Sequence, residues 1–247
     1  LVWLPRPLLL LLGIGIIVGH NLLDTLHFPV GSAMHVPWAI LHDRGWIEFS
    51  DNWRLRTSYP VLPWIGVIAL GYCMGPWFAR SACAATRQRY LLLAGVGALL
   101  SFVALRLLNG YGEAPWISYG NATQTLMSFF NITKYPPSLL FLTLTLGLGL
   151  LLLLAFERAT QGKWISILAV FGAAPMFFYL LHLYVLKVLY LASVALFGLN
   201  QGSYFGFDGI GAVWLTAVVM AIALYWPVRW FAGLKARRRD ITWLKYF

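Results

Sequence analysis

His20 and Asp24 stand four residues apart in His20-Asn-Leu-Leu-Asp24, a spacing that places an imidazole and a carboxylate on one face of an α-helix. A carboxylate beside an imidazole fixes its tautomer and favours its protonated form, which is how a general base is oriented. Asn21, between them, adds a group that can hold a polar substrate. The same residues also fit a polar knot joining helices, or an interfacial histidine facing water. A second constellation is Phe177-Phe-Tyr-Leu-Leu-His182-Leu-Tyr184, with Lys187 and Tyr190 beyond it. Helical spacing puts Tyr179 with His182 and Tyr184 with Lys187. That arrangement fits a pocket for a polar or anionic ligand, or an interhelical hydrogen bond from His182 plus an ion pair of Lys187 with a distant carboxylate. A third is Asn131-Ile-Thr-Lys134-Tyr135-Pro136-Pro137-Ser138, where the prolines start a helix whose free N–H groups can meet an anion beside Lys134. Arg106 either reaches the interface, pairs with Asp24 or Glu113, or contacts a ligand.

The elements that carry these residues are apolar. Stretches at residues 7–26, 59–78, 90–108, 136–156, 174–196 and 210–231 are each near the ~20 residues that span ~30 Å of hydrocarbon as a helix. In lipid every backbone N–H and C=O must be satisfied internally, which helices do segment by segment. Composition agrees, with 60% hydrophobic and 11% charged residues and a mean hydropathy of +0.75. The expected fold is therefore an all-α polytopic transmembrane bundle of about six spans, one domain over residues 1–247. Gly172-Ala-Ala-Pro175 is expected to break the long apolar stretch before the fifth span into a lead-in and a spanning helix. Gly66, Gly71, Gly75, Gly95 and Gly97 are expected to let helices approach closely.

Charge orients the chain. Eighteen Lys and Arg against eight Asp and Glu give +10. With six spans, twelve of the basic residues (Arg6, Arg80, Arg87, Arg89, Arg158, Lys163, Arg229, Lys235, Arg237, Arg238, Arg239 and Lys245) fall on one side. Four (Arg44, Arg54, Arg56 and Lys134) fall on the other. The bias predicts both termini in the cytoplasm and Lys235–Arg239 at the anionic inner leaflet. It assigns the basic excess to membrane orientation rather than to nucleic acid. Residues 27–58 and 109–135 then form long outer connections. Their tryptophans suggest an ordered cap at the headgroup level. Cys73 and Cys83 give neither a disulfide framework nor a metal spacing, and the outer histidines lack ligand spacing, so no metal is expected.

Four motifs occur in order: His20-Asn-Leu-Leu-Asp24; Tyr59-Pro-Val-Leu-Pro-Trp-Ile-Gly66 running to Gly71; Ser128-Phe-Phe-Asn-Ile-Thr-Lys-Tyr-Pro-Pro-Ser-Leu-Leu140; and Phe171-Gly leading to Pro175-Met-Phe-Phe-Tyr-Leu-Leu-His182. Over about residues 1–231 they resemble bacterial members of the heparan-α-glucosaminide N-acetyltransferase catalytic-domain family. The resemblance implies an integral membrane acyltransferase of a bacterial inner membrane. Such a protein passes acetyl from cytoplasmic acetyl-CoA to a sugar amine or hydroxyl on the far side. The family's catalytic histidine follows a Leu-Asp-x-x-Arg-Gly start that this sequence does not contain. The chain accordingly reads as the carboxy-terminal part of a longer protein, and none of its five histidines inherits that role.

The expected acid–base residues are His20, Asp24 and His182. The expected substrate- or coenzyme-contacting residues are Asn21, Arg106, Asn131, Lys134, Tyr135, Tyr179 and Lys187. Expected partners are membrane lipids, a polar or glycan acceptor and a second copy of the chain. Two rival readings follow from the same residues. One is a transporter or flippase for a polar or lipid-linked substrate with a midplane site at His182 and Lys187; the other is a non-catalytic membrane subunit.

Overall fold

The computed structural model describes residues 3–50, 53–159, 162–238 and 240–247, so Arg239, counted above on the cytoplasmic side, lies outside the described residues. The chain divides into two compact units, Leu1–Arg158 and Ala159–Phe247. It is an all-α polytopic protein. Among the described residues, five helices are long and apolar enough to cross a membrane: Arg6–Leu23, Ala84–Leu108, Leu139–Arg158, Pro175–Phe197 and Ile210–Arg237. The expected second span is shorter than read. Pro60 precedes its start, Pro63 sits in its first turn where the missing N–H costs nothing, and Pro76 ends its regular winding, leaving a 13-residue α-helix and a four-residue 3-10 turn.

The first unit is built from two helix pairs. Helix α1 (Arg6–Gly19), prolonged by a 3-10 turn at His20–Leu23, packs on α3 (Leu62–Met74). Helix α4 (Ala84–Leu108) packs on α6 (Leu139–Arg158). Each pair closes on facing glycines. A Cβ at Gly13 would lie 3.1 Å from the Gly66 carbonyl oxygen, and one at Gly66 would lie 3.0 Å from that of Gly13. Gly95 and Gly147 repeat the arrangement at 3.2 and 3.1 Å. Lipid supplies no hydrophobic drive between helices, so such close approach and its dispersion contacts hold them together. Gly71, Gly75 and Gly97 have open space where a Cβ would stand, so the expected role belongs to Gly66 and Gly95 alone of those five. Large apolar side chains such as Leu11, Ile68, Leu100 and Leu152 remain exposed on the outer faces, where hydrocarbon covers them.

The two ends of this unit differ in charge. At one end Arg87 grips Glu157 through Nη2 and Nε at 2.6 and 3.0 Å, and its Nη1 donates to the Trp77 carbonyl. Arg158 Nε donates to Gln88 Oε1, and Cys73 Sγ donates to the Arg6 carbonyl. The long connections lie at the opposite end and carry short elements of their own. The first holds α2 (His35–Leu41) and an antiparallel hairpin of β1 (Gly45–Ser50) with β2 (Trp53–Thr57), in register Gly45 to Thr57 and Ile47 to Leu55. The second holds α5 (Ala122–Phe129), capped by Asn121 Oδ1 accepting from the Thr123 N–H.

The second unit contains α7 (Lys163–Ala173), α8 (Pro175–Phe197) and α9 (Ile210–Arg237). The chain breaks at Ala174, where the sequence placed it, because Pro175 cannot donate to the preceding turn. Phe177 stacks flat on Phe231 with centroids 4.1 Å apart, over buried Ala174, Val228 and Leu244. Lys235 caps α7 by donating to the Ala173 carbonyl.

Candidate functional site

A polar cleft of about 530 Å³ opens where the end of α1, the loop after α4 and the start of α6 meet. Asn21, Asp24, His27, His42, Asp43, Tyr111, Glu113, Thr133 and Ser138 line it, together with loop backbone. Three of these are carboxylates. Among the described residues of its wall there is no lysine or arginine.

The winding of residues 20–23 decides which side chains face the cleft. Helices commonly tighten to 3-10 in a last turn, and three residues per turn aligns i with i+3 rather than i+4. Asn21 therefore meets Asp24, with Nδ2 donating to Oδ2 at 2.8 Å. The expected His20–Asp24 pair does not form. His20 is buried instead, its Nδ1 2.9 Å from the Ile17 carbonyl oxygen and its Nε2 2.9 Å from that of Pro137. Both ring nitrogens face backbone acceptors, so His20 joins α1 to the start of α6 and presents nothing to the cleft. Asn21 makes a second join, its Oδ1 accepting from the Leu139 N–H at 2.9 Å.

The imidazole that Asp24 does meet is His42, at the carboxy-terminal end of α2. His42 Nε2 lies 3.0 Å from Asp24 Oδ1, although the approach is too oblique for a well-directed hydrogen bond. The His42 side chain is 1% exposed and that of Asp24 is 45% exposed, so the carboxylate faces the cleft and the ring stands behind it. Nδ1 of His42 has no partner among the described residues. Burial lowers the His42 pKa below its usual 6.5, against the opposing pull of Asp24. A neutral ring protonated on Nε2 suits both facts: it turns N–H toward the carboxylate and leaves only a lone pair unpartnered. Trp38 and His20 pack against the ring, with centroids at 5.2 and 6.3 Å.

The remaining wall is polar but largely committed. Asp43 meets the exposed His27 at 3.0 Å. Glu113 accepts from Thr133 Oγ1 at 2.8 Å, from the Ala114 N–H at 3.0 Å and from the Thr133 N–H. The Tyr111 hydroxyl donates to the Val18 carbonyl, and burial pushes its pKa up.

Other expected residues surround this cleft without entering it. Arg106 is 2% exposed and spends its donors on four backbone carbonyls: Phe129 at 2.7 Å, Ala114 and Ser128 at 2.8 Å and Asn131 at 3.1 Å. Neither Asp24 nor Glu113 is within ion-pair distance of it among the described residues, because the folded-back loop supplies enough acceptors. Asn131 contributes its carbonyl to that clamp and borders a separate shallow depression with Tyr119 and Met127. Lys134 lies over the Tyr135 ring at 5.1 Å. Arg44 lies over the same ring at 5.5 Å and donates to the Tyr135 carbonyl. The N–H groups expected to meet an anion at the start of α6 are taken. Ser138 N–H donates to the Thr133 carbonyl, Leu139 N–H to Asn21 and Phe141 N–H to Ser138 Oγ.

In the second unit, His182 Nδ1 lies 3.2 Å from the Phe178 carbonyl of its own helix, and its ring stacks on Phe178. Tyr179 is half exposed beside it. Lys187 is exposed, with Nζ 5.4 Å from the Tyr190 ring centroid, and no carboxylate among the described residues pairs with it.

Of the expected residues, the structure thus brings Asn21 and Asp24 into one cleft, with His20 behind it. Sequence reasoning gave no site role to His42 or Tyr111 and named Glu113 only as a partner for Arg106. The signal for His42 was its four-residue step from Trp38, which turns both rings toward the same side of α2. Chemically, the cleft offers an oriented carboxylate in an acidic enclosure suited to a cationic or hydroxyl-bearing group. No family model, curated protein or solved structure matches the chain.

Proposed function

We propose that this chain serves acyl transfer in a membrane, binding an amine or hydroxyl acceptor in the polar cleft. The observation that carries the reading is Asp24. Its carboxylate is open to the cleft, fixed on one oxygen by Asn21 and approached on the other by the buried His42. The resemblance of the four ordered motifs to the heparan-α-glucosaminide N-acetyltransferase catalytic-domain family supports the same reaction class.

In this reading Asp24 is the catalytic residue. It removes the proton from the acceptor nitrogen or oxygen as that atom bonds to the acyl carbon, while the carbon–sulfur bond of an acyl thioester breaks and the thiolate leaves. His42 and Asn21 are positioning residues: one turns N–H toward Asp24 Oδ1, and the other ties Asp24 to the amino terminus of α6. Acetyl-CoA is the proposed donor. Its phosphates suit the exposed Arg80, Arg89 and Arg158 at the other end of the unit rather than the acidic cleft. In this reading that end lies in the cytoplasm of a bacterial inner membrane and the cleft outside, which the positive-inside bias supports for the sidedness.

The test uses the full-length protein in proteoliposomes, supplied with acetyl-CoA and glucosamine. Asp24→Asn is expected to lower kcat by about 10²–10⁴-fold, the range of a lost general base, in a protein that still folds. No acyl transfer to any amine or hydroxyl acceptor would remove the reading. Solute flux without an acyl donor would point to transport instead.

A further inference from the structure

A second cavity lies within the spanning part of the first unit. It is a groove of about 430 Å³ among α1, α3, α4 and α6, walled by Ile14, Ile17, Leu70, Ala98, Leu142 and Leu146 among other mostly apolar residues. It is too small for a helix, which is about 10 Å across with its side chains, but suits a single hydrocarbon chain.

The groove and the cleft run along the same two helices. Asn21 and Ser138 line the cleft; Ile17 and Leu142, each four residues further into the span, line the groove. Four residues of helix advance about 6 Å. One layer of side chains separates the cavities: Ile17, Leu139 and Leu142, with Tyr111 packed on it. Tyr111 also lines the cleft, so it ties the cleft wall to this layer.

A polar, acidic chamber stacked one helical turn from an apolar one, at the end of a membrane span, has the outline of an amphiphile standing in a leaflet. We infer that cleft and groove are the two halves of one site for a lipid-linked acceptor, with a primary ammonium on its head in the cleft and a hydrocarbon chain in the groove, the Ile17–Leu139–Leu142 layer yielding to let the two parts join. This rests on the acceptor reading of the cleft and adds the substrate class. Asp24, Asp43 and Glu113, with no lysine or arginine in the described wall, select a cationic head and disfavour an anionic one.

The test is photo-crosslinking of the full-length protein in proteoliposomes, using phosphatidylethanolamine with a diazirine on its acyl chain and the matching phosphatidylglycerol probe. The expected result is labelling of Leu142 and Leu146 by the ethanolamine lipid about tenfold above the glycerol lipid, falling to the glycerol level in Asp24→Asn. Wild-type protein gives an independent reading: hexadecylamine should compete with the label, and ethanolamine at the same concentration should not. Equal labelling by both lipids, or labelling indifferent to hexadecylamine, would overturn the proposal and leave the groove as ordinary lipid contact. Acetylation of soluble glucosamine with no head-selective groove labelling would sink this proposal while sparing acyl transfer. Head-selective labelling without acyl transfer would uphold the site and remove the reaction.

Discussion

The side chain of His42 is buried with Nε2 3.0 Å from an oxygen of Asp24, whose own carboxylate opens on the cleft. The order is the reverse of the familiar one, in which a carboxylate stands behind an exposed imidazole. Here the imidazole sets the carboxylate. His42 must stay neutral to do so, since Nδ1 has no acceptor for a second proton among the described residues.

This makes stability depend on pH in a defined direction. Burial lowers the His42 pKa below the 6.5 of the free side chain, so the unfolded chain binds a proton more readily than the folded one. The neutral-His42 contribution is complete above about pH 6.5 and is lost as pH falls through the lower folded value. Thermal unfolding in detergent between pH 7.5 and 5.5 should show wild type losing stability toward acid and His42→Gln losing less. An unchanged slope in His42→Gln would mean that His42 does not titrate with unfolding.

Arg106 gives a second prediction. Its guanidinium serves four carbonyls in the loop after α4, and Trp116 Nε1 returns a hydrogen bond to the Arg106 carbonyl at 2.8 Å. Lysine keeps the charge but lacks the planar fork. Each buried carbonyl left unpaired costs about 1–3 kcal/mol, so Arg106→Lys should loosen residues 109–131 by at least that much. Limited proteolysis should cut this loop in the variant and spare it in wild type.

The glycine pairs supply an internal control. A side chain at Gly95 meets Leu151 Cδ2 at 2.8 Å and the Gly147 carbonyl at 3.2 Å, whereas Gly97, two residues on, faces open space. Backbone cannot move aside as a side-chain end can. Gly95→Val is expected to cost about 1–3 kcal/mol, as overpacking does, and Gly97→Val much less. Melting temperatures of the two variants in one detergent check this, and equal losses would refute the α4–α6 contact.

Hydropathy made the spans readable, because a lipid environment selects long apolar helices almost regardless of neighbours. The expected boundaries of the spans at 174–196 and 210–231 agree closely with α8 and α9 at their starts. Polar geometry was less legible. The His20–Asp24 expectation assumed 3.6 residues per turn, and the chain winds at three there. Asp24 and His42 are joined only by the fold of the intervening segment, which no local spacing encodes. The start of α6 looked like an anion site because its prolines free N–H groups, but Asn21 and Ser138 occupy them. The expected pairing of Arg106 with Asp24 or Glu113 does not form for a parallel reason: its partners are backbone carbonyls, which sequence cannot tell apart.

Orientation is tested most directly at Cys83. It is exposed in the turn before α4, at the end of the unit that carries Arg80, Arg87 and Arg89. The amides of Thr86 and Ala85 face its sulfur and hold the thiol below its usual pKa, which raises the reactive thiolate fraction near neutral pH. Cys73, by contrast, is half-buried in α3 with Sγ against the Arg6 carbonyl. A membrane-impermeant maleimide should therefore label the protein in inside-out vesicles, lose that label in Cys83→Ser, and leave right-side-out vesicles unlabelled until detergent is added. On the positive-inside expectation, Arg87 in the cytoplasm entails Asp24 and the cleft outside, because they lie at opposite ends of the same unit. Labelling from the outside would invert both assignments and bring the cleft, with its proposed acceptor, to the cytoplasmic face.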